Sequence, residues 1–207
     1  MSHFASADDP TNMTTQSQIK AFGKLGHDLR ELHVEHNAES IPFGDFSIAN
    51  SAGIIAWPKS YLQWVRPGIA TYGITPMTDQ DASKAGIKPL MTLRSGIIAI
   101  KSIAKGDPVG YGGTWRAPKD TRVAVVAIGY GDGYPRHAKS GTPVLIGGRR
   151  YPLAGRVSMD MISVDIGTTD HGRSIEVGDE VVLWGDGLPI EKVADCADTI
   201  GYELVCS

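Results

Sequence analysis

Cysteine is scarce: the 207-residue chain has two, Cys196 and Cys206. They show no C-x-x-C spacing and no clustered histidines, which argues against a zinc site and a disulfide scaffold. Reduced thiols in a cytoplasmic protein are the expected state. An excess of one charge is also missing. Lys and Arg total 20 against 23 for Asp and Glu, a formal net charge of −3. No basic field exists to attract nucleic acid. Long apolar runs are absent too. The longest charge-free stretch, residues 46–58, is too short to span a bilayer and is interrupted by Asn50, Ser51 and Gly53. The first nine residues have neither a basic segment nor an apolar one, so no signal peptide is expected there. The standard signatures of serine hydrolases, zincins, P-loops and dinucleotide folds are all missing.

What is present suffices for a core: 42% hydrophobic and 21% charged residues resemble an ordinary soluble domain and exclude a disordered one. The 25 glycines and 12 prolines favour short strands and turns over a helical bundle. Two halves differ in pattern. In the first, Ile19, Phe22, Leu25, Leu29 and Leu32 recur at three- and four-residue steps. They predict an amphipathic helix starting near Gln16, capped by Thr14 or Thr15 and ending near His36–Asn37. Short strands are expected at 46–49 and 69–72, with a helical turn from Ser51 through Ile55. Strand, turn, helix and strand in close succession read as βα units of a parallel sheet.

The second half changes to period-two runs and tight turns. Strands are expected at 95–100, 122–128, 143–146, 161–164 and 180–183. Gly106-Asp107-Pro108, Gly147-Gly148 and Gly185-Asp186-Gly187 mark turns between them. A late helix is expected at 189–199, with Pro189 at its start and Gly201 just past its end. This half reads as a mostly antiparallel β-domain. The polar stretch 78–88 reads as the linker, leaving domains at 1–80 and 89–207.

Several polar residues fall at strand ends and glycine-rich turns, where function concentrates. Asn50-Ser51 and Arg66-Pro67-Gly68-Ile69 each present backbone N–H groups that could receive a phosphate, with the Ser51 hydroxyl as a further donor. Taken alone, Asn-Ser is simply a helix cap. Arg66 keeps its charge at any working pH and would hold a facing ligand atom unprotonated. Tyr111, between Gly110 and Gly112, has an accessible phenol, which serves as a base only beside a cation. Tyr130 repeats the pattern. Asp160 between methionines reads as a turn residue, and Tyr202 as a strand aromatic.

Together these blocks carry a resemblance. Ser2-His3-Phe4-Ala5, Ala49-Asn50-Ser51-Ala52, Arg66-Pro67-Gly68-Ile69 with Tyr72-Gly73, Gly110-Tyr111-Gly112, Gly129-Tyr130-Gly131-Asp132-Gly133-Tyr134-Pro135-Arg136, Gly155-Arg156-Val157-Ser158-Met159-Asp160 and Tyr202-Glu203 stand in an order that resembles the alanine racemases. That family uses pyridoxal 5′-phosphate (PLP) and joins an N-terminal (β/α)8 barrel to a C-terminal β-domain. The implied fold is therefore α/β plus β: the later βα units of a TIM barrel, then the β-domain. The implied activity is interconversion of L- and D-alanine by two bases, a tyrosine and a lysine, on opposite faces of Cα.

By the same resemblance, Ser51, the backbone of Gly68 and Ile69, and the Tyr202 hydroxyl would hold the PLP phosphate. Arg66 would face the pyridine nitrogen and restrain the ring as an electron sink. Tyr111 would be a catalytic base acting on the partner subunit's cofactor in a homodimer. His3 would relay between Tyr111 and Arg66. Met159 would offer its N–H to the substrate carboxylate, and Tyr130 and Asp160 would line the entrance.

The departures are equally specific. None of the ten lysines sits in the Lys-Ala-Asn-Ala-Tyr-Gly-His type block that anchors PLP in the family. A (β/α)8 barrel takes about 250 residues, and two or three βα units are present. The expectation is a segment beginning in or just after barrel strand five, clipped after Ser207, and inactive alone. Ser158 stands where some relatives carry cysteine. The alternatives are a broad-specificity racemase of the same family and a non-catalytic β-module. A decarboxylase of the same architecture ranks lower, because those enzymes lack the Gly-Tyr-Gly-Asp-Gly and Ser-Met-Asp pairing.

Overall fold

The computed structural model describes residues 1–35, 43–78, 86–168 and 174–206. The chain divides into two compact units, Met1–Lys88 and Pro89–Ser207. Most of the linker expected at 78–88, like His36–Asn37, lies outside the described residues.

In the first unit, helix α1 (Thr14–Glu35) opens where the Asn12 side chain accepts the Thr14 N–H at 3.0 Å. Ile19 and Phe22 pack on a small core of Phe4, Ala7, Ile48, Ala52 and Met77. Phe46 meets Phe22 edge to face, ring centroids 5.8 Å apart. The rest of the predicted stripe behaves differently: Leu25, Leu29 and Leu32 are exposed. Three extended segments lie side by side. Ser2 N–H donates to Ser47 O at 3.0 Å, and Arg66 N–H to Ala49 O at 2.9 Å. Ser47 also bridges Trp64 in parallel. That single bridge is all the ladder that 46–49 makes, so the expected strand is an extended segment only. Helix α2 (Ser51–Ala56) follows, capped by Asn50.

The strand expected at 69–72 is corrected. Ile69–Tyr72 is a 3-10 turn, closed at Gly73 in the left-handed region (φ 74°). Its β-branched and aromatic residues suggested a strand, but glycines on both sides let the chain turn tightly.

The second unit is built on a six-stranded sheet. Its strands are β1 (Leu93–Ile103), β4 (Thr121–Val126), β5 (Pro143–Ile146), β6 (Arg149–Pro152), β7 (Ile162–Asp165) and β8 (Glu180–Trp184), in the order β6-β5-β8-β1-β4-β7. Every pairing is antiparallel. Leu153, just after β6, bridges Val164 of β7, so the two ends of the order meet and the sheet closes on itself. Closure leaves no long unpaired edge and creates one interior. Ile97, Val126, Val144, Leu153, Val164, Val181 and Leu183 fill it, each at most 2% exposed. Period-two alternation shows in β8, where Val181 and Leu183 are buried while Glu180 and Val182 are not; β4 departs from it, with Val123, Ala124 and Val126 all buried. A two-stranded ribbon, β2 (Pro108–Val109) with β3 (Trp115–Arg116), carries the turn between them.

The late helix is also corrected. Helix α3 (Ile190–Cys196) stops early, and Asp198 takes φ 52°, the only left-handed non-glycine among the described residues. Gly201 does not follow a helix end. It opens a second helix, α4 (Gly201–Cys206), so Tyr202 is a helical residue and not a strand aromatic. No described helix is long and apolar enough to cross a membrane.

Candidate active site

The first unit gathers five of the predicted residues. Arg66 ends one extended segment and reaches across the other two. Its Nη1 donates to Ser47 Oγ at 2.5 Å, its Nη2 to the Ser2 carbonyl at 2.7 Å, and Nη2 stands 3.2 Å from His3 Nδ1. All three partners are neutral acceptors, and among the described residues no carboxylate pairs with this guanidinium. The charge is therefore oriented without being cancelled.

Arginine can only donate, so His3 Nδ1 must accept. A neutral imidazole then carries its proton on Nε2. Nε2 stands 3.3 Å from Asn50 Nδ2. Asn50 Oδ1 is held by the Gly53 N–H at 2.9 Å as the cap of α2, which points the amide NH2 at His3. With Arg66 donating to Nδ1, Nε2–H faces a second donor and has no acceptor among the described residues.

Ser51 begins α2, and its buried hydroxyl accepts the Ala70 N–H at 3.2 Å. That contact ties the start of α2 to the Ile69–Tyr72 turn. The Gly68 N–H is engaged with the Arg66 carbonyl at 3.0 Å, so it is not an open donor here. The Ser51 hydroxyl proton stays available, and the Ile69 N–H has no acceptor among the described residues. This donor set suits an anion such as a phosphate, beside an arginine able to face a ring nitrogen.

The second unit gathers the others. Tyr111 projects from a 3-10 turn, 66% exposed, with Gly110 and Gly112 at φ 73° and 72°. A side chain on Gly110 would meet Arg156 N at 3.2 Å, so this turn sits directly on the Gly155–Asp160 segment. The same segment holds the Tyr130 turn. Tyr130 N–H donates to Ser158 O at 3.0 Å and Gly131 N–H to Met159 O at 2.8 Å. Gly129 is required by close approach: a Cβ there would lie 2.2 Å from Met159 O. Asp132 closes the turn by accepting the Gly129 N–H at 2.9 Å. The Arg136 guanidinium stands 5.5 Å from the Tyr130 ring centroid. Tyr111, Tyr130, Met159 and Asp160 are thus carried by turns braced on one strip of backbone, all exposed. Tyr202 is separate, half exposed on α4.

Sequence reasoning missed two participants. Asn50 read as a cap, and it is one, but its amide also confronts His3. Ser47 went unremarked, because a serine inside an extended segment carries no motif. Its role follows only from the reach of an arginine 19 residues later.

The comparisons with known proteins agree with one another. A family profile described as "Alanine racemase, C-terminal domain" matches residues 90–207, and "Alanine racemase, N-terminal domain" matches 1–76. The chain is 51% identical over 205 residues to the alanine racemase of Shewanella denitrificans, covering 99% of this chain and 52% of that one. It is 51% identical over 207 residues to that of Vibrio vulnificus, covering 99% and 53%. Among solved structures, the biosynthetic alanine racemase from Pseudomonas aeruginosa superposes with a TM-score of 0.84 at 44% identity, over 98% of this chain and 52% of that one. The alanine racemase from Bartonella henselae with covalently bound pyridoxal phosphate gives 0.80 at 30% identity, over 98% and 52%. The chain spans about half the length of these relatives. With a domain profile matching the whole of the closed β-unit, and seven sequence blocks in family order, this chain belongs to the alanine racemase family.

Proposed function

We propose that this chain contributes the phosphate- and pyridine-facing part of a PLP site, together with a tyrosine-bearing β-domain, to a racemase that interconverts L- and D-alanine. The observation that carries the reading is the oriented, uncancelled Arg66 charge backed onto His3. A phenolate oxygen is an acceptor of the right kind, and Tyr111 stands exposed on a rigid turn.

PLP, when bound, supplies the electron sink for a proton leaving the substrate Cα. Binding, orientation and one of the two proton transfers fall to the chain's own groups. Ser51 and the Ile69 N–H bind the phosphate end, with the Tyr202 hydroxyl as a further donor. Gly68 joins them through its N–H once the bond to the Arg66 carbonyl gives way. Arg66 faces the pyridine nitrogen as a permanent cation and keeps a proton off it, which weakens the sink and limits side reactions. His3 passes the arginine's field to Tyr111 by donating Nε2–H to the phenol oxygen. That stabilises the charged phenolate and lets Tyr111 take or return a proton at Cα. Met159 fixes the substrate carboxylate through its N–H, and Tyr130 and Asp160 border the entrance. The parallel bridge between Ser47 and Trp64, with the flanking bonds from Ser2 and Arg66, supports reading the first unit as later strands of a (β/α)8 barrel, with 1–80 and 89–207 as the two domains of the chain. Tyr111 acting on the cofactor of a second copy implies a homodimer, and the free thiols of Cys196 and Cys206 suit the cytoplasm.

Turnover further requires a lysine on the opposite face of Cα, and no lysine of this chain sits in an anchoring block. The chain alone with PLP and L-alanine should therefore give no racemisation. Joined to the first half of the P. aeruginosa enzyme it should be active, and Tyr111→Phe should selectively abolish proton exchange on one face of Cα. Turnover by the isolated chain would refute the requirement for the missing lysine. Unchanged racemisation in the Tyr111→Phe joined enzyme would refute the role of the phenol.

A further inference from the structure

We propose that Ser47 is a positioning residue for Arg66: its hydroxyl fixes the one rotation of the guanidinium that directs Nη2 at His3. The inference rests on reading Arg66 as the group behind the reacting phenol, but its geometry stands by itself. Ser47 is 7% exposed and is held twice over. Its carbonyl accepts the Ser2 N–H at 3.0 Å, the Ser2 carbonyl accepts Arg66 Nη2 at 2.7 Å, and Arg66 Nη1 returns to Ser47 Oγ at 2.5 Å. These three bonds form a closed ring through two chain segments and one side chain. A guanidinium bonded at both Nη1 and Nη2 cannot swing about its Nε–Cζ axis without breaking two bonds.

The hydroxyl matters as much as the location. A carboxylate at 47 would hold Arg66 as firmly, and would also offset the charge that His3 is placed to feel. A serine orients the cation and leaves the charge whole. An alanine would leave Nη1 without its acceptor and the guanidinium pivoting on its single bond to the Ser2 carbonyl.

The test reads Arg66 directly, with no cofactor. In the 15N-labelled chain the Arg66 Nη–H groups, assigned by their loss in Arg66→Lys, should give separate, slowly exchanging resonances. Ser47→Ala and the near-isosteric Ser47→Cys should merge them, while Ser47→Thr, which keeps the hydroxyl, should restore them. If Ser47→Ala fails to fold, the Cys and Thr pair decides. Merged resonances in the unsubstituted chain, separate ones in Ser47→Cys, or Thr behaving like Cys would each overturn the proposal. In the joined enzyme, Ser47→Cys should slow the Tyr111-side proton exchange roughly tenfold or more with KM unchanged. A loss confined to KM would also overturn it. The Tyr111→Phe result reports on the phenol, so the two readings can fail separately.

Discussion

The two units solve the burial problem in different ways. The second closes a six-stranded antiparallel sheet and seals its interior with β-branched and leucine side chains at 0–2% exposure. The first has five core residues, three segments joined by isolated bonds, and Leu25, Leu29, Leu32 and Trp64 left exposed. Yet the first holds the more exacting charge network. A closed sheet tolerates exposed functional turns, because its stability is established elsewhere. An open set of parallel segments must use the functional side chains themselves as ties. Arg66 links three segments and is a structural group as well as an electrostatic one.

This contrast can be strained from both sides. The largest effect is expected at Gly129, where any side chain collides with the Met159 carbonyl at 2.2 Å. Gly129→Ala should cost on the order of 3 kcal/mol and separate the Tyr130 turn from Met159. Denaturant unfolding of the second unit reads the cost. A loss within experimental error would mean that these turns are not braced as described.

A smaller and opposite effect is expected at Tyr134. Its ring stacks on Trp184, centroids 5.9 Å apart, but neither its hydroxyl nor the Trp184 Nε1 has a partner among the described residues. Burial pushes the Tyr134 phenol well above its ordinary value, with the nearby Cys196 adding to the shift. The folded state thus holds the proton more tightly than the unfolded one. This stability is intact below the ordinary tyrosine value of about 10 and is lost as pH rises above it. Tyr134→Phe should remove that alkaline loss and leave neutral-pH stability unchanged or up to about 1 kcal/mol higher. Circular dichroism of both proteins from pH 8 to 12 checks the sign. A destabilised variant would reveal a partner for the hydroxyl.

The smallest effect is expected on α1. Leu29 is 41% exposed, so Leu29→Gln in the isolated chain should change stability by no more than about 0.5 kcal/mol. The same substitution in the joined enzyme is the sharper comparison. A larger cost there, read from thermal unfolding, would mean that the other half covers this stripe.

Legibility differed between the units for physical reasons. Strand β5 (Pro143–Ile146) was readable to the residue, because an apolar run ends at Gly147-Gly148. Strands β4 and β8 were readable within one or two residues from their valine-rich runs between turns. The ribbon strands β2 and β3 are two residues each, too short for any period. Strand β6 begins Arg149-Arg150 and reads as turn until it pairs with β5. In the first unit, helix α1 was legible and its partners were not, since only half of its apolar stripe is covered. Tyr202 was singled out by resemblance alone, and its place in a helix was illegible.

Residue order alone was enough to assign the family blocks, the antiparallel character of the second half and the glycine turns that present Tyr111 and Tyr130. All of these depend on local periodicity or on neighbours a few positions away. Folding in three dimensions was needed to seat Arg66 against Ser47 and Ser2, to turn the Asn50 amide toward His3, and to close β6 onto β7 through Leu153 and Val164. Those contacts join residues far apart in the chain, and no local pattern encodes which distant acceptor a long, flexible arginine will reach.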